Sequence, residues 1–368
     1  MRRRGRLAVR AVGCPSSGRV RNALTGTTDR VAAGARARAA QYTVSLRRKP
    51  DAPLMLALHA MPAMPAGPLI ESVPNVSEGR RRPVIDRLLE AAAGTPGCRL
   101  LDWSSDPSHN RTVLTLAGAP DAVLAALLSL YEAATAAIDI RRHRGVHPRV
   151  GAVDVAPLVP LARVSPRECA GLSRTLGRTV AERFEIPVFL YEEAARRPGR
   201  RALENIRRGQ LAGLTRRMAR PDWRPDFGPA LPHPSAGVTV IGARSILIAF
   251  NVNLETDDLA AARAIAGAVR TSGGGLPYLK AIGVRLDNGR VQVAMNLTNY
   301  VKTPLQSAFD AVRREAVRRG VAVAGSELVG LVPAAALDAD GAGRLQLAGF
   351  GPERLLDTHI GCAPTAPG

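Results

Sequence analysis

Two histidines stand four residues apart in the basic segment RRHRGVHPRVGAVDV, residues 141–155. His143 and His147 at this spacing would suit two metal ligands on one face of a helix. However, Gly145 and Pro148 disfavour a helix here, no glutamate occupies the H-E-x-x-H position, and the neighbouring arginines repel a cation. The spacing therefore does not predict a metal site, and we expect no metal.

The same turn can instead present an imidazole that transfers protons. Pro148 restricts the backbone of His147 and Gly145 permits a tight turn, so the ring can be held in a fixed loop ahead of a strand. An imidazole titrates near neutral pH and can accept and return a proton. Arg149 beside it offers a fixed positive charge for a carboxylate. These residues alone leave the alternative open: a solvated basic loop at a helix end.

Three further segments carry candidate binding residues. DPSHNRTVLTLAG places His109, Asn110 and Arg111 at the entry to a strand, where side chains can face a cleft, although Asp-Pro-Ser-His-Asn is also good turn sequence. PNVSEGR offers Asn75, with a capping or turn role as the alternative. PDFGPALPHPSAGVTVIGAR, residues 225–244, has too much Pro and Gly for regular structure over about 12 residues, which is typical of a binding loop or of a linker.

Composition and charge limit the class of protein. The 368 residues are 46% hydrophobic and 22% charged, as in globular proteins with real cores, and no run of about 18 uncharged apolar residues predicts a membrane span. The four cysteines are scattered without a C-x-x-C pair, which indicates a reducing compartment, and we expect the cytoplasm.

The net charge of +20 is concentrated at one end. Residues 1–51 carry +11, which leaves +9 for the other 317 residues. That moderate excess suits a small anionic substrate, and no basic, aromatic-rich sheet predicts RNA binding, so we expect no nucleic acid. Residues 1–66 are Arg-rich and lack periodicity. We interpret them as an extension or as sequence upstream of a true start at Met55, Met61 or Met64.

The elements that would position these residues form a repeated pattern. Periodicity predicts strands at 69–74, 98–103, 111–118 and 151–160 and helices at 82–94 and 120–139. The order β-α-β-β-α-β then recurs, with strands at 245–254, 280–287, 291–299 and 321–333 and helices at 256–270 and 303–320. An Asn288-Gly289 turn closes the second hairpin. Two α/β subdomains, joined through residues 161–244, predict a ligand cleft between them.

Many of these segments, in this order, resemble the glutamate formimidoyltransferase family, the transferase half of formimidoyltransferase-cyclodeaminases. The resemblance runs from about Leu69 to about Leu337 and is carried by ESVPNVSEGR, HNRTVLTLAG, HRGVHPRVGAVDVAPLVP, IPVFLYEEAA, PDFGP, LIAFNVNLET, MNLTNY and SELVGLVP. It implies an α/β (α+β) fold of two ferredoxin-like βαββαβ subdomains that form a folate-binding groove. We expect subdomains at 67–243 and 244–340, a tail at 341–368, and no cyclodeaminase half.

The resemblance also implies roles for single residues. It makes His147 the catalytic acid and base, and it indicates a folate-contacting loop of ten residues: Gly228, Pro229, Ala230, Leu231, Pro232, His233, Pro234, Ser235, Ala236 and Gly237. Arg111 and Arg149 are candidates for binding substrate carboxylates, with His109, Asn110 and Asn75 as further substrate-binding candidates. Tetrahydrofolate is the implied co-substrate, and a homodimer is expected.

The implied reaction moves the formimino group of N-formimino-L-glutamate to N5 of tetrahydrofolate. It gives 5-formimidoyltetrahydrofolate and L-glutamate, a step of histidine degradation. Two alternatives stay open at this stage: formyl transfer from N-formylglutamate, since the two donors differ only by O for NH, and a non-catalytic folate-binding protein.

Overall fold

The computed structural model describes residues 43–44, 64, 67–145, 148–286 and 288–364. All of them belong to one unit of the chain, Gln41–Gly368. The interpretation of residues 1–66 as an extension falls almost entirely outside the described residues. His147, the predicted acid–base residue, also lies outside them, whereas its neighbour Pro148 is described.

The first subdomain has the predicted β-α-β-β-α-β order. Its elements are β2 (Leu69–Ser72) continued by β3 (Asn75–Val76), α1 (Arg82–Ala93), β4 (Cys98–Asp106), β5 (Arg111–Gly118), α2 (Pro120–Ala137) and β6 (Val153–Ala162). β2 and β3 together lie between β5 and β6, β4 pairs with the outer side of β5, and all these pairs are antiparallel. The ferredoxin-like prediction is confirmed for this half.

The segment that joins the subdomains extends the first sheet. It contains α3 (Pro166–Phe184), β7 (Val188–Glu192), α4 (Leu203–Arg207), α5 (Gln210–Met218) and β8 (Thr239–Ala243). β8 pairs in parallel with β6 on one side and with β7 on the other. These two strands were not predicted from the sequence. Each is only five residues long and almost wholly buried, so neither shows the alternation of apolar and polar residues that marks a half-exposed strand.

The second subdomain repeats the pattern. Its elements are β9 (Ile248–Leu254), α6 (Leu259–Val269), β10 (Leu279–Leu286), β11 (Val291–Leu297), α7 (Leu305–Val317) and β12 (Val323–Val329). The strand order is β10-β11-β9-β12, all antiparallel, and the two-residue β1 (Thr43–Val44) pairs in parallel with β10. Gly289, at φ 84°, lies in the β10–β11 turn as predicted. Short helices α8 (Gly341–Arg344) and α9 (Leu356–Ile360) follow.

The first sheet is covered on both faces. Helices α1, α2 and α3 pack apolar side chains such as Leu88, Leu127 and Leu176 against one face. On the opposite face, Ile206 of α4 and Leu214 of α5 belong to a second apolar cluster. Its other members are Val150, Val155, Phe189, Tyr191, Met218, Val238 and Val240. The joining segment therefore supplies part of the core as well as two strands.

The two subdomains are joined by the chain itself and by polar contacts. The chain passes from β8 to β9 through only four residues, 244–247. Lys280 of β10 forms an ion pair with Glu204 of α4 at 3.1 Å. On the other side of the first sheet, Arg99 of the edge strand β4 donates from Nη1 to the carbonyl oxygen of His359 in α9, at 3.1 Å.

One buried carboxyl group in the first sheet has no polar partner among the described residues. Ile70 belongs to the core beneath the helices, so Glu71, the next residue of β2, points to the opposite face. Glu71 is 5% exposed, and its carboxyl group makes no hydrogen bond or ion pair with any other residue that the structure describes. Burial raises the pKa of this carboxyl to about 7, although the positive charge of Arg244 opposes the shift.

The raised pKa of Glu71 predicts a loss of stability as the pH rises. The folded protein holds this proton up to about pH 7, whereas an unfolded chain releases it near the ordinary glutamate pKa of 4.5. The stabilisation is therefore complete below pH 4.5 and is lost as the pH approaches 7. We expect Glu71→Gln to reduce the difference in unfolding free energy between pH 5 and pH 8 by on the order of 2 kcal/mol. Urea denaturation at both pH values measures this, with exposed Glu90→Gln as the control. An unchanged difference would contradict it.

Candidate active site

Asn110 connects three segments at the basic turn. Its Oδ1 accepts a hydrogen bond from the backbone N–H of Gly79 at 2.8 Å, and its Nδ2 donates to the carbonyl oxygen of Arg144 at 2.9 Å. Its own carbonyl oxygen lies 2.9 Å from Nε2 of His143. Asn110 is buried and has φ 50°, a left-handed conformation that asparagine tolerates better than most residues. It therefore fixes the turn that precedes His147.

Gly145 packs its backbone directly against the neighbouring loop. A Cβ atom at this position would lie 2.4 Å from the carbonyl oxygen of His109, too close for any side chain. Gly79 is equally confined, since its Cβ would lie 2.4 Å from the carbonyl oxygen of Asp106. The two glycines let the three segments meet without a gap; the tight turn at Gly145 stays a prediction, because Val146 and His147 lie outside the described residues.

His109 and Asp106 form a local pair within the turn before β5. Nδ1 of His109 lies 3.1 Å from Oδ2 of Asp106, and Oδ1 of Asp106 accepts from the backbone N–H groups of Ser108 and His109 at 2.8 and 2.9 Å. Burial acts to raise the pKa of Asp106, but the hydrogen bonds from His109 and Ser108 lower it overall. The aspartate thus organises the turn and orients the His109 ring.

Arg149 is 7% exposed and lies inside the protein. Its guanidinium contacts the imidazole of His143 and approaches the carbonyl oxygen of His109 at 3.5 Å. Burial lowers the pKa of Arg149 to about 10, while the nearby charge of Asp154 acts in the opposite direction, so the side chain is protonated at neutral pH. Arg149 therefore places a positive charge directly behind the turn.

The two remaining substrate-binding candidates lie on the strands beside the turn. Asn75 is the first residue of β3, and its Nδ2 donates to the carbonyl oxygen of Val73 at 3.1 Å. Arg111 is the first residue of β5, half-buried and opposite Asp106 of β4. Both stay predictions as binding residues.

The predicted folate-contacting loop, residues 228–237, packs beside the same turn. Its end glycines, Gly228 and Gly237, have φ 84° and 74°, which favours glycine at both positions. The carbonyl oxygen of Ser235 accepts from the N–H of Ile140 at 2.8 Å, and that of Ala236 accepts from the N–H of Ala152, also at 2.8 Å. The loop is therefore attached on both sides of the His147 turn.

His233, which the sequence left without a specific role, closes this loop. Its Nδ1 accepts hydrogen bonds from the backbone N–H groups of Ser235 and Ala236 at 3.3 and 3.0 Å. The backbones of His233 and Gly237 also exchange two hydrogen bonds, of 2.8 and 3.0 Å. Leu231 at the tip of the loop is 73% exposed, so the loop presents an apolar side chain to solvent.

A cavity of about 880 Å³ lies between the two subdomains, beside the His147 turn. Pro148 borders it, together with residues of the joining segment, of the 244–247 link and of the second sheet. Its other lining residues are Tyr191, Glu192, Glu193, Arg201, Leu203, Glu204, Arg207, Arg208, Gly209, Gln210, Arg244, Ser245, Leu247, Tyr278, Lys280, Asn296, Thr298, Asn299 and Lys302. A volume of this size accommodates a ligand of several hundred daltons.

The cavity lining is positively charged. It contains six Lys and Arg side chains against three Glu. Arg201, Arg207 and Lys280 form ion pairs with carboxylates. The other three cations, Arg208, Arg244 and Lys302, have no carboxylate within 4 Å in the part of the chain that the structure describes. Such cations can bind the carboxylates of an anionic ligand.

Sequence reasoning missed these three cations. Arg208 lies between α4 and α5, Arg244 directly follows β8 and Lys302 lies in the loop after β11, and no local motif connects them. Arg244 follows the carboxyl end of a parallel strand, the usual position of ligand-binding residues in α/β sheets, but that strand was not predicted from the sequence.

The described residues contain no group of three or more His, Cys, Asp or Glu that could hold a metal ion. Cys98, Cys169 and Cys362 are free thiols, and burial raises the pKa of Cys98 and Cys169 to about 12, which makes them poor nucleophiles. No helix within these ranges is long and apolar enough to cross a bilayer.

Fold and cavity together define an α/β protein with a cationic ligand cleft between two ferredoxin-like subdomains. The family described as "Formiminotransferase domain, N-terminal subdomain" matches residues 69–244, and the "Formiminotransferase domain" matches residues 249–342. The chain belongs to the formiminotransferase family, which confirms the resemblance found in the sequence motifs.

Several relatives are similar over most of the chain. The chain is 44% identical to the glutamate formimidoyltransferase of Streptococcus pyogenes serotype M1, over 79% of this chain and 98% of the relative. It is also 44% identical to that of Thermoplasma acidophilum, over 79% and 97%. The formimidoyltransferase-cyclodeaminase of Rattus norvegicus is 44% identical over 73% of this chain, but only 51% of that relative is covered.

Proposed function

We propose that this protein is a glutamate formimidoyltransferase. It transfers the formimino group of N-formimino-L-glutamate to N5 of tetrahydrofolate and yields 5-formimidoyltetrahydrofolate and L-glutamate, a step of histidine degradation. The observation that carries the proposal is the cationic cavity of about 880 Å³ bordered by Pro148 of the His-Pro-Arg turn. Relatives that bear this name, at 44% identity and matched over 97–98% of their own length, support it.

Both substrates are anions, and the cavity suits them. Formiminoglutamate carries two carboxylates, and the glutamate tail of tetrahydrofolate carries two more. Arg208, Arg244 and Lys302 are the lining cations without a carboxylate partner among the described residues, so they supply charge to bind these groups. Holding both substrates in one cavity removes much of the entropic cost of their encounter.

His147 acts as both acid and base in the proposed mechanism. N5 of tetrahydrofolate attacks the amidine carbon, a new N5–C bond forms, and the N5 proton passes to the imidazole. The tetrahedral intermediate collapses when the bond between this carbon and the glutamate nitrogen breaks. Because an unprotonated amine is a poor leaving group, the imidazolium returns its proton to that nitrogen. The attachments of Asn110 and Gly145 to neighbouring loops hold the backbone before His147 in place.

The remaining assignments belong to the same proposal. The loop 228–237 contacts folate; its hydrogen bonds to Ile140 and Ala152, on either side of His147 in the sequence, support this, although none of its residues lines the cavity. Residues 67–243 and 244–340 form the two subdomains of the enzyme. The protein is a homodimer and is located in the cytoplasm, and the free thiols of Cys98, Cys169 and Cys362 agree with a reducing compartment.

The test is a transfer assay with each donor on the full chain. Tetrahydrofolate is incubated separately with N-formimino-L-glutamate and with N-formylglutamate, and the N5-substituted folate is measured. Fast transfer from the formimino donor is the expected result. Transfer only from the formyl donor would keep the site and change the substrate, whereas folate binding without transfer from either donor would identify a folate-binding protein.

A further inference from the structure

Tyr278 is an exposed aromatic residue at the rim of the cavity. It lies immediately before β10, borders the cavity and is 42% exposed. Its backbone has φ 54°, in the left-handed region that bulky side chains rarely adopt. This conformation costs free energy, and such residues concentrate at functional sites where the surrounding structure enforces them.

Hydrogen bonds at Tyr278 and at both neighbouring residues hold its backbone in this conformation. Its carbonyl oxygen accepts from the backbone N–H and from Oγ1 of Thr298, at 2.9 and 3.2 Å. Before it, the carbonyl oxygen of Pro277 accepts from Oγ1 of Thr303 at 2.5 Å. After it, the N–H of Leu279 donates to Oγ1 of Thr271 at 3.1 Å. Three threonines therefore fix the backbone that presents the ring.

The ring has a cation beside it. Nζ of Lys302 lies 5.5 Å from the centroid of the Tyr278 ring, and Lys302 also borders the cavity. This ammonium makes no carboxylate ion pair with a described residue, so its contact with the ring leaves it available to a ligand carboxylate. A single exposed tyrosine is ordinary on a protein surface. Tyr278 differs because its strained backbone is held in place at the rim of a cavity and an ammonium group lies next to its ring. An aromatic ring beside a positive charge can bind a ligand that carries both an aromatic ring and a carboxylate.

We propose that Tyr278 is a stacking platform for an aromatic ring whose substituent carries carboxylates, and that Lys302 binds one of these carboxylates. In the folate co-substrate, the part that carries such a ring and such carboxylates is the p-aminobenzoyl-glutamate group. The assignment rests on the proposed function for the identity of the ligand, and it places the benzoyl ring on Tyr278 and the tail toward Lys302. Stacking of a ligand ring on an aromatic side chain strengthens binding by on the order of tenfold.

The experiment compares four forms of the full chain: wild type, Tyr278→Phe, Tyr278→Asn and Tyr278→Gly. Phenylalanine keeps the ring, whereas asparagine and glycine accept the left-handed backbone without a ring. Calorimetry measures the Kd values of tetrahydrofolate and of free p-aminobenzoyl-L-glutamate. We expect Tyr278→Phe to bind within about twofold of wild type, and both ringless variants to bind about tenfold more weakly. The Kd of N-formimino-L-glutamate is expected to stay unchanged.

The melting temperature distinguishes a residue that stacks on the ligand from one with only a structural role. Because glycine removes the backbone strain, Tyr278→Gly is expected to raise Tm while it weakens folate binding. A lowered Tm in Tyr278→Gly with unchanged ligand binding would show a structural residue and overturn the proposal. Val317→Ala, at an exposed apolar position of α7, serves as the control for loss of surface apolar area.

Two further outcomes test the benzoyl assignment and the proposed enzymatic function separately. If the ringless variants lose affinity for 6-methyltetrahydropterin but not for p-aminobenzoyl-L-glutamate, the benzoyl assignment is overturned. If wild type binds p-aminobenzoyl-L-glutamate through Tyr278 but transfers no group from either donor, the platform is supported while the proposed enzymatic function fails.

Discussion

Replacement of His147 by alanine is expected to lower the rate of formimino transfer by on the order of a hundredfold or more. The leaving nitrogen of glutamate must be protonated as its bond to carbon breaks, and the imidazole is the group that supplies this proton in the proposed mechanism. Because substrate binding depends on other side chains, the loss should fall on kcat with a small change in KM. Imidazole added to the buffer should restore part of the activity.

The control for this experiment lies in the same turn. Arg142→Ala removes a side chain that is 89% exposed and makes only a 3.8 Å contact with Asp139, so it tests for a general disturbance of the turn. We expect near-normal turnover in Arg142→Ala and circular dichroism spectra identical to wild type in both variants. Turnover close to that of wild type in His147→Ala would remove this residue from the mechanism.

Replacement of Arg200 by alanine is expected to lower the free energy of unfolding by about 3–5 kcal/mol. Arg200 is 2% exposed and pairs with Asp226, which is also buried, at 3.0 Å. Its other terminal nitrogen donates to the carbonyl oxygens of Asp222 and Arg224 at 2.8 and 2.6 Å. The variant leaves the buried carboxylate of Asp226 and two carbonyl groups without this donor, which is the costly way to break an ion pair.

Aromatic contacts add to the loss at Arg200. Its guanidinium carbon lies 4.8 Å from the ring centroid of Phe189 and 5.6 Å from that of Trp223. Arg201→Ala is the matched control, because the adjacent Arg201 pairs with Glu193 at the surface, where both side chains are about half exposed. We expect Arg201→Ala to cost less than about 1 kcal/mol. Urea denaturation of both variants measures the difference, and equal effects would refute the argument.

The repeated β-α-β-β-α-β pattern could be predicted because each half shows its periodicity locally. Helix α1, for example, buries Ile85, Leu88, Leu89 and Ala92 at helical spacing and begins beside a proline. Strands β7 and β8 could not be predicted in the same way. They are short, and parallel pairing makes them strands: β8 pairs with β6, about 80 residues earlier in the chain, and β7 pairs with β8.

The candidate site likewise combines features that could be predicted from local sequence with features that could not. Gly145 lies two residues before His147 and Pro148 directly follows it, so a constrained backbone around His147 could be predicted from local residues. Arg149 was also selected as a carboxylate-binding candidate, but it is buried against His143, and the cavity is lined by cations that are distant in sequence. Spatial convergence of distant cations depends on how the two subdomains pack, and single-sequence patterns do not contain that information.

The link of residues 244–247 determines how the cavity can open. Four residues span at most about 14 Å, so the subdomains cannot move apart as separate bodies. Within that limit, a relative motion of the subdomains would be a rotation about this link, with Arg244 and Leu247 of the cavity wall close to its axis. Such a rotation would have to break contacts on either side of the link: the ion pair between Lys280 and Glu204, and the hydrogen bond from Arg99 to His359 at the opposite edge of the first sheet. We expect these contacts to resist opening of the cavity.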